Sequence, residues 1–139
     1  MSAVSFTLNP SVTAYAIADL RESVGWDRLD ADYPAVLRGY WATVGGFDDQ
    51  GALVAWCAIL SDGVRHGVLL DVIVHPRWQR QGIGRALVAR AIEHLHARAI
   101  NIIHVDFSPV HASFYEQCGF QVARTSRHVC GRVSAVLCV

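Results

Sequence analysis

The sequence contains no lysine. Its twelve basic residues are all arginine, and twelve acidic residues balance them, so the formal net charge at pH 7 is +0. Proteins that bind polynucleotides non-specifically rely on a net positive field, which this composition does not supply. The balance of charges therefore argues against a nucleic-acid partner.

Long hydrophobic runs and targeting signals are also missing. No apolar segment reaches the roughly 18 residues that a membrane span requires. The first ten residues, MSAVSFTLNP, have neither the basic region nor the apolar region of a signal peptide. We expect a soluble, cytoplasmic protein with no membrane partner.

The patterns that form disulfides or bind metals are scarce as well. No C-x-x-C pair occurs, and Cys57 and Cys138 lie within apolar runs, where free thiols commonly pack. His94 and His96 are two residues apart on a predicted helix, so their side chains point to diverging faces. The sequence predicts reduced cysteines and no metal site. The four cysteines are Cys57, Cys118, Cys130 and Cys138.

What is present is the composition of a compact domain. Hydrophobic residues make up 53% of the chain and charged residues only 17%, so long disordered segments are not expected. A chain of 139 residues has the size of one domain and can bury most of its apolar surface unaided. We predict a single domain over residues 1–139.

Helix and strand signals alternate along the chain. VSFTL alternates in polarity and predicts a strand, after which Asn9 can cap a helix that begins at Pro10 and runs to Gly25. A second short helix is predicted near Pro34. Three apolar runs follow, YWATVGGF, ALVAWCAIL and GVLLDVIV, and the turn signals DDQG and SDG between them predict an antiparallel meander.

The second half begins with a predicted helix in which Leu87, Ala91, Leu95 and Ala99 form a buried stripe. A strand (INIIHVDF), a short helix (SPVHASFYEQCG) and two strands around FQVARTS and VSAVLCV follow. The predicted order is βααβββαβαββ, an α/β (α+β) fold with four helices and a mixed sheet of about six to seven strands. If the last strand lies at the sheet edge, a second subunit would cover it, so we also expect a homodimer.

Residues 75–91, HPRWQRQGIGRALVARA, combine glycines with arginines at the start of a helix. Gly82 and Gly84 let an anion approach the free N–H groups of the helix N-terminus, which is how such termini bind phosphate. The dinucleotide fingerprint fails because Leu87 occupies its third glycine position, and the nucleotide P-loop fails because no G-K-[ST] follows. Phosphate binding is the functional interpretation, and a plain turn with solvated arginines is the alternative.

The longer pattern LLDVIVHPRWQRQGIGRALV resembles the acyl-CoA loop of the GNAT superfamily of N-acetyltransferases, [RQ]-x-x-G-x-[GA]. Gln79, Gly82 and Gly84 stand at its fixed positions. SFYEQCGF resembles the second signature of the family, and the element order matches over nearly the whole chain. The resemblance implies acetyl-CoA as the acyl donor, held partly by strand backbone where two central strands splay apart. The implied donor-binding residues are Val72, Ile73, Val74, Gln79, Arg80, Gln81, Gly82, Ile83, Gly84, Arg85 and Ser108.

Acetyl transfer to an amine needs a neutral amine, a stabilised oxyanion and a proton for the leaving thiolate. The resemblance implies Tyr115 as the general acid and a backbone N–H near Val72 or Ile73 as the oxyanion donor. Asp71 is a carboxylate in an apolar strand, where an unpaired charge is costly. It is our candidate general base, with a structural role as the alternative. His111 is left out of the catalytic set, because a lone histidine on a surface helix is usually only solvated.

In relatives the acceptor enters beside the first two helices, here GWDRLDADYPAVLRGYW. Trp26, Tyr33 and Trp41 are the predicted substrate-binding residues, and the acids of this segment can attract a cationic amine. We therefore predict direct transfer of an acetyl group from acetyl-CoA to a primary amine of a small molecule. The alternatives are a protein or peptide amine as acceptor, and a non-catalytic acyl-CoA sensor.

Overall fold

The computed structural model describes residues 3–123 and 133–138, which form a mixed sheet with helices on its faces. The predicted order βααβββαβαββ is confirmed. Single 3₁₀ turns precede the third and fourth helices, at Pro76–Trp78 and Pro109–His111. The elements are β1 (Ser5–Leu8), α1 (Ala14–Ser23), α2 (Tyr33–Gly39), β2 (Ala42–Phe47), β3 (Leu53–Ser61), β4 (His66–Val74), α3 (Ile83–Ala97), β5 (Ile102–Phe107), α4 (Ala112–Gln117), β6 (Gln121–Ala123) and β7 (Val133–Cys138).

The seven strands lie in the order β1-β2-β3-β4-β5-β7-β6. β4 and β5 pair in parallel, and the other neighbouring strands pair antiparallel. The last strand, β7, lies between β5 and β6, so the condition on which the expected homodimer depended, a last strand at the sheet edge, is not met. Because its backbone is paired on both sides, the argument for a second subunit that covers an exposed edge no longer applies.

The two faces of the central strands carry separate cores. Side chains of β3 alternate, so that Cys57 faces α3 and Trp56 faces α1. On the α3 side the predicted stripe is buried at Leu87, Ala91 and Leu95, and full burial of each leucine contributes about 1.5–3 kcal/mol. Ala99 was wrongly placed in this stripe, since α3 ends at Ala97 and Ala99 is exposed in a left-handed turn, with φ 58°.

The first helix begins four residues later than predicted. Thr13 is its N-cap, and the Thr13 hydroxyl accepts a hydrogen bond from the backbone N–H of Ala16 at 3.1 Å. Asn9 instead takes a left-handed conformation, with φ 49°. Its amide oxygen and its backbone N–H both bond to the backbone of Thr43, so Asn9 extends the pairing of β1 with β2 rather than opening a helix.

His94 makes stability depend on pH. Its ring lies beside Trp41, with centroids 5.2 Å apart. Burial, aided by the positive charge of Arg98, lowers the pKa of His94 below its ordinary value. As the pH falls, the unfolded chain takes up a proton on this histidine before the folded chain does. The stabilisation by neutral His94 is therefore complete above the unfolded pKa, about 6.5, and declines below it.

We expect the free energy of unfolding to decrease as the pH is lowered from about 7.5 to about 5, with a smaller decrease in His94→Phe, which keeps an aromatic ring at this position. Urea denaturation at several pH values measures both slopes. Equal slopes in the two proteins would show that His94 does not contribute to the pH dependence.

Candidate active site

A gap opens in the middle of the sheet where β4 and β5 separate. Their parallel pairing runs from His66↔Ile102 to Leu69↔Val105, although both strands continue beyond it. On β4, Asp71 and Val72 together oppose Cys57 of β3, which is a β-bulge, and Asp71 has a φ of 50°. A bulge bends its strand, so it turns β4 away from β5 and leaves the β5-facing backbone of β4 free to bind a ligand.

The gap leads into a pocket of about 800 Å³, which lies within the size range of small-molecule sites. It brings together the loop before α3, the ends of β4 and β5, and α4. Tyr115 and Asp71, the two predicted catalytic residues, both line it. The lining residues are Trp26, Leu69, Asp71, Val72, Val74, Gln79, Arg80, Gly82, Gly84, Arg85, Val105, Asp106, Phe107, Ser108, His111, Phe114 and Tyr115.

The glycine loop is folded back onto β4. The Gln79 side-chain amide donates to the backbone oxygen of Val74 at 2.9 Å, which ties the loop to the end of the strand. Gly82 is the N-cap of α3 in the left-handed conformation, with φ 79°, which only glycine adopts without strain. The first-turn N–H groups of a helix have no partners within the helix and carry its positive end. The loop therefore presents backbone donors to the pocket.

Gly84 is required for a different reason, close packing. A Cβ atom built there would lie 3.2 Å from the ring of Phe114 and 3.6 Å from a methyl group of Val74. The first turn of α3 thus sits directly against α4 and the end of β4. This contact brings the loop and the helix that carries Tyr115 together at one pocket.

Tyr115 is held rigidly at the pocket wall. Its side chain is 6% exposed, and it stacks on Phe107 with ring centroids 4.6 Å apart. Phe114 and Phe120 contact it edge-on at 4.9 and 5.8 Å. These three aromatic neighbours restrict the rotamer of Tyr115 at the pocket.

Asp71 accepts hydrogen bonds from three side chains, all at its Oδ2 atom. Nη1 of Arg21 lies 3.0 Å away, the Tyr33 hydroxyl donates at 2.6 Å, and the Tyr40 hydroxyl donates at 3.3 Å. Burial, and then the hydrogen bond to Asp71, raise the pKa of Tyr33 far above its usual range. Burial, with a contribution from the Asp71 charge, raises the pKa of Tyr40 to about 12. Both phenols therefore remain protonated donors at neutral pH.

The predicted substrate residues separate in the structure. Trp26 lines the pocket and is 37% exposed. Tyr33 is buried in the core beneath it and reaches the site only through its hydroxyl. Trp41 does not line the pocket, because it lies on the α3 side of the sheet against His94 and Arg98. Of these three predicted residues, only Trp26, in the loop between α1 and α2, lines the pocket.

Three of the residues predicted to bind the donor lie outside the lining. The side chains of Ile73 and Ile83 are buried in the two cores, so only their backbone could contact a ligand. The Gln81 side chain donates to the backbone oxygen of Arg77 at 3.3 Å. Ser108 does line the pocket; it is the N-cap of the Pro109–His111 turn, and its hydroxyl makes no capping hydrogen bond.

The structure also shows contacts and pocket-lining positions that sequence reasoning did not assign. Arg21 and Tyr40 hold Asp71, and nothing in their local sequence signals this contact. His111, which is not in the predicted catalytic set, lines the pocket. Asp106 lines it as well, and its place in the strand INIIHVDF, as an isolated acid near the strand end, was an available signal.

The sheet opens at the β4 bulge, and the glycine loop and the buried Tyr115 both line the pocket at this gap. Residues 40–122 match the family described as Acetyltransferase (GNAT) domain. The chain belongs to the GNAT acetyltransferase family.

Several named proteins are similar to this chain. It is 29% identical over 121 residues to an uncharacterized N-acetyltransferase, ycf52, of Gracilaria tenuistipitata var. liui, covering 84% of this chain and 66% of that protein. It is 32% identical over 138 residues to the chloroplastic GCN5-related N-acetyltransferase 2 of Arabidopsis thaliana, covering 85% and 54%. The chain thus spans between about half and two thirds of the length of these relatives.

Among solved structures, the GNAT family N-acetyltransferase YhbS of Escherichia coli, in complex with CoA, superposes with a TM-score of 0.82. The match covers 99% of this chain and 82% of that one, at 16% sequence identity. At this identity the similarity shows the fold. The predicted assignment to the GNAT superfamily is confirmed by the family match together with this shared fold.

Within the described part of the chain, no helix combines the length and the apolar character needed to cross a bilayer. The Arabidopsis relative is named as a chloroplast protein. The cytoplasmic location of this protein stays a prediction. Among residues 3–123 and 133–138 there is no group of three or more histidine, cysteine or acidic side chains placed to hold a metal ion.

Proposed function

We propose that this protein is an N-acetyltransferase that moves an acetyl group from acetyl-CoA directly to a primary amine of a small molecule. The observation that carries the proposal is the shared pocket. The glycine loop, the splayed end of β4, Asp71 and Tyr115 all line one cavity of about 800 Å³. A donor and an acceptor bound in that cavity would meet without leaving the enzyme, which is the arrangement that direct transfer requires.

The residues present fit the donor. Acetyl-CoA supplies an acetyl group activated as a thioester. The loop around Gly82 offers backbone N–H groups to its pyrophosphate, and Arg80 and Arg85 line the same side of the pocket with positive charge. The β5-facing backbone of Val72 to Val74, unpaired because the strands diverge, can bind the pantetheine amides. A backbone N–H in this segment is also our candidate oxyanion donor.

Tyr115 acts as the general acid in this proposal. Its phenol lines the pocket and is fixed by Phe107, Phe114 and Phe120. As the C–S bond of the thioester breaks, the hydroxyl donates its proton to the thiolate sulfur. A positioned proton donor of this kind typically accelerates the step by about 10²–10⁴-fold.

Asp71 has one oxygen available for chemistry. Its hydrogen bonds with described residues are all made by Oδ2, and Oδ1 has no hydrogen-bond partner among the side chains of residues 3–122. Since Asp71 lines the pocket, Oδ1 can accept a proton from the acceptor ammonium, directly or through one water molecule. In this proposal Asp71 has both of its predicted roles. Its Oδ2 atom has the structural role, and its Oδ1 atom is the general base.

The base role predicts a specific pH dependence for Asp71→Asn. At neutral pH we expect kcat/KM for the acceptor to fall by about 10²-fold. The loss should shrink as the pH rises toward the pKa of the acceptor amine, because an amine that is already neutral needs no base. Initial rates of thiol release between about pH 6.5 and 9.5 would measure this trend. A loss of the same size at every pH would leave Asp71 with the structural role alone.

Isothermal titration with acetyl-CoA, followed by thiol-release assays, tests the function itself. The acceptor panel contains small amines, polyamines, aminoglycosides and amino acids, with peptides that carry free amines as a separate arm. We expect acetyl-CoA to bind and a small amine to turn over. Turnover of peptides alone would favour a protein acceptor, and binding with no turnover of any amine would favour a sensor. Absence of acetyl-CoA binding would contradict the proposal as a whole.

A further inference from the structure

Arg21 connects Asp71 with the loop between α1 and α2, which carries Trp26. It lies on α1, fifty residues from Asp71 in sequence, and its side chain is 11% exposed. Nη1 contacts Oδ2 of Asp71 at 3.0 Å, and Nε donates to the backbone oxygen of Asp27 at 2.7 Å. The guanidinium carbon lies 5.3 Å from the ring centroid of Trp26 and 5.6 Å from that of Tyr33. One side chain therefore contacts the carboxylate, the loop backbone and two aromatic rings.

These contacts use two properties that arginine combines. The guanidinium is planar and carries five N–H donors, so it can bond to a carboxylate and to a backbone oxygen at the same time. Its flat faces also attract aromatic rings. A lysine at position 21 would keep the charge as a single point, without the planar fork of donors or the flat face that packs on the rings.

We propose that Arg21 is the positioning residue of the acceptor half of the site. It occupies Oδ2 of Asp71, so that Oδ1 is the oxygen left for the acceptor amine, and it fixes Trp26 as the pocket wall beside that amine. This inference rests on the proposed acetyl transfer, because it assigns how the acceptor side of that same site is assembled. Arg21 acts through Asp71 and Trp26 and takes no part in donor binding.

A second arginine, Arg28, is the control for the proposed role of Arg21. Arg28 also holds the α1–α2 loop, but from the outside. It bonds to the exposed carboxylates of Asp19, Glu22 and Asp30 and lies 5.0 Å from the ring centroid of Tyr15. None of these contacts involves Asp71 or Trp26. Exposed ion pairs of this kind contribute little, so loss of Arg28 loosens the loop without disturbing the carboxylate.

Kinetic measurements on variants of Arg21 and Arg28 distinguish the roles of the two residues. In Arg21→Gln we expect kcat/KM for the acceptor to fall by about 10²-fold, since a small misplacement of catalytic groups has effects of that size. The affinity for acetyl-CoA should change by less than about 2-fold, because the donor contacts are on other elements. Arg21→Lys should recover part of kcat, and added guanidinium ion should restore part of the activity of Arg21→Ala. Arg28→Gln should lose less than about 3-fold.

A double-mutant cycle shows whether Arg21 acts through Asp71. If it does, Arg21→Gln made in the Asp71→Asn background will lower kcat by much less than it does in the wild type, and the remaining loss will reflect its contact with Trp26. Full additivity of the two losses would overturn the proposal. So would equal effects of Arg21→Gln and Arg28→Gln, or a loss in Arg21→Gln that appears only as weaker acetyl-CoA binding.

A measurement that does not require turnover tests the role of Arg21 separately from the proposed function. With 5-fluorotryptophan in place of tryptophan, the fluorine resonance of Trp26 is identified by its disappearance in Trp26→Phe. We expect this resonance to shift or broaden in Arg21→Gln and to stay in place in Arg28→Gln. An unchanged resonance in Arg21→Gln would overturn the positioning role even in an active enzyme. A shifted resonance in a protein that binds no acetyl-CoA would overturn the proposed function and not the contact.

Discussion

Tyr115→Phe should lower kcat by about 10²–10⁴-fold while the dissociation constant for acetyl-CoA changes by less than about 2-fold. The substitution removes only the hydroxyl, and the ring retains its contacts with Phe107, Phe114 and Phe120. Donor binding should be preserved because, in the proposed site, it depends on the glycine loop and the β4 backbone. The measurement is kcat from thiol release, together with calorimetry for acetyl-CoA.

Tyr15→Phe is the matched control for this experiment. Tyr15 lies on α1 with 67% of its surface exposed, and it does not line the pocket. Removal of its hydroxyl should leave kcat within about 2-fold of the wild-type value. If Tyr115→Phe had the same kcat as Tyr15→Phe, Tyr115 would not be the proton donor, and the leaving thiolate would take its proton from another group.

Gly82→Asp should weaken acetyl-CoA binding by about 10²-fold. The new carboxylate would sit among the backbone donors that are proposed to bind the pyrophosphate. Two like charges about 4 Å apart repel by between about 1 kcal/mol in water and about 4 kcal/mol at a protein surface, and each 1.4 kcal/mol is worth about tenfold in affinity. Calorimetric titration measures the change directly.

Two variants separate charge repulsion from strain. Gly82→Asn has nearly the same shape and also tolerates a positive φ, so it should retain most of the affinity that Gly82→Asp loses. Gly51→Asp places the same residue at another positive-φ glycine, φ 83°, outside this pocket, and it should bind acetyl-CoA normally. Equal affinities for Gly82→Asp and the wild type would show that the loop does not contact the pyrophosphate.

Much of the fold was readable because its signals are local. The three apolar runs between residues 40 and 74, each bounded by turn residues, predicted β2, β3 and β4 correctly. The stripe through Leu87, Ala91 and Leu95 predicted α3 and its buried face. The start of the first helix was predicted wrongly because Asn9 has two competing uses. Asn9 can cap a helix or adopt a left-handed turn, and its pairing with Thr43 of β2 decided for the turn.

The proposed donor half of the site could be proposed from the sequence for the same reason. The residues from Gln79 to Arg85 form one contiguous loop, so a linear pattern contains them all. The acceptor half combines residues from separate elements. Arg21 is fifty residues from the carboxylate that it holds, and Trp41 has an aromatic side chain as suitable as that of Trp26 but faces the other side of the sheet. Only the packing of α1 and α2 on β4 distinguishes these cases.

The sequence by itself determined the family, the order of elements, the glycine loop and the tyrosine, because these depend on periodicity and on spacings of a few residues. The tertiary structure decided three further things. These are the bulge that parts β4 from β5, the position of β7 inside the sheet and the assembly of Arg21, Tyr33 and Tyr40 around Asp71. Each is set by contacts between residues far apart in the chain, where burial and hydrogen-bond geometry select one arrangement among many that the local patterns allow.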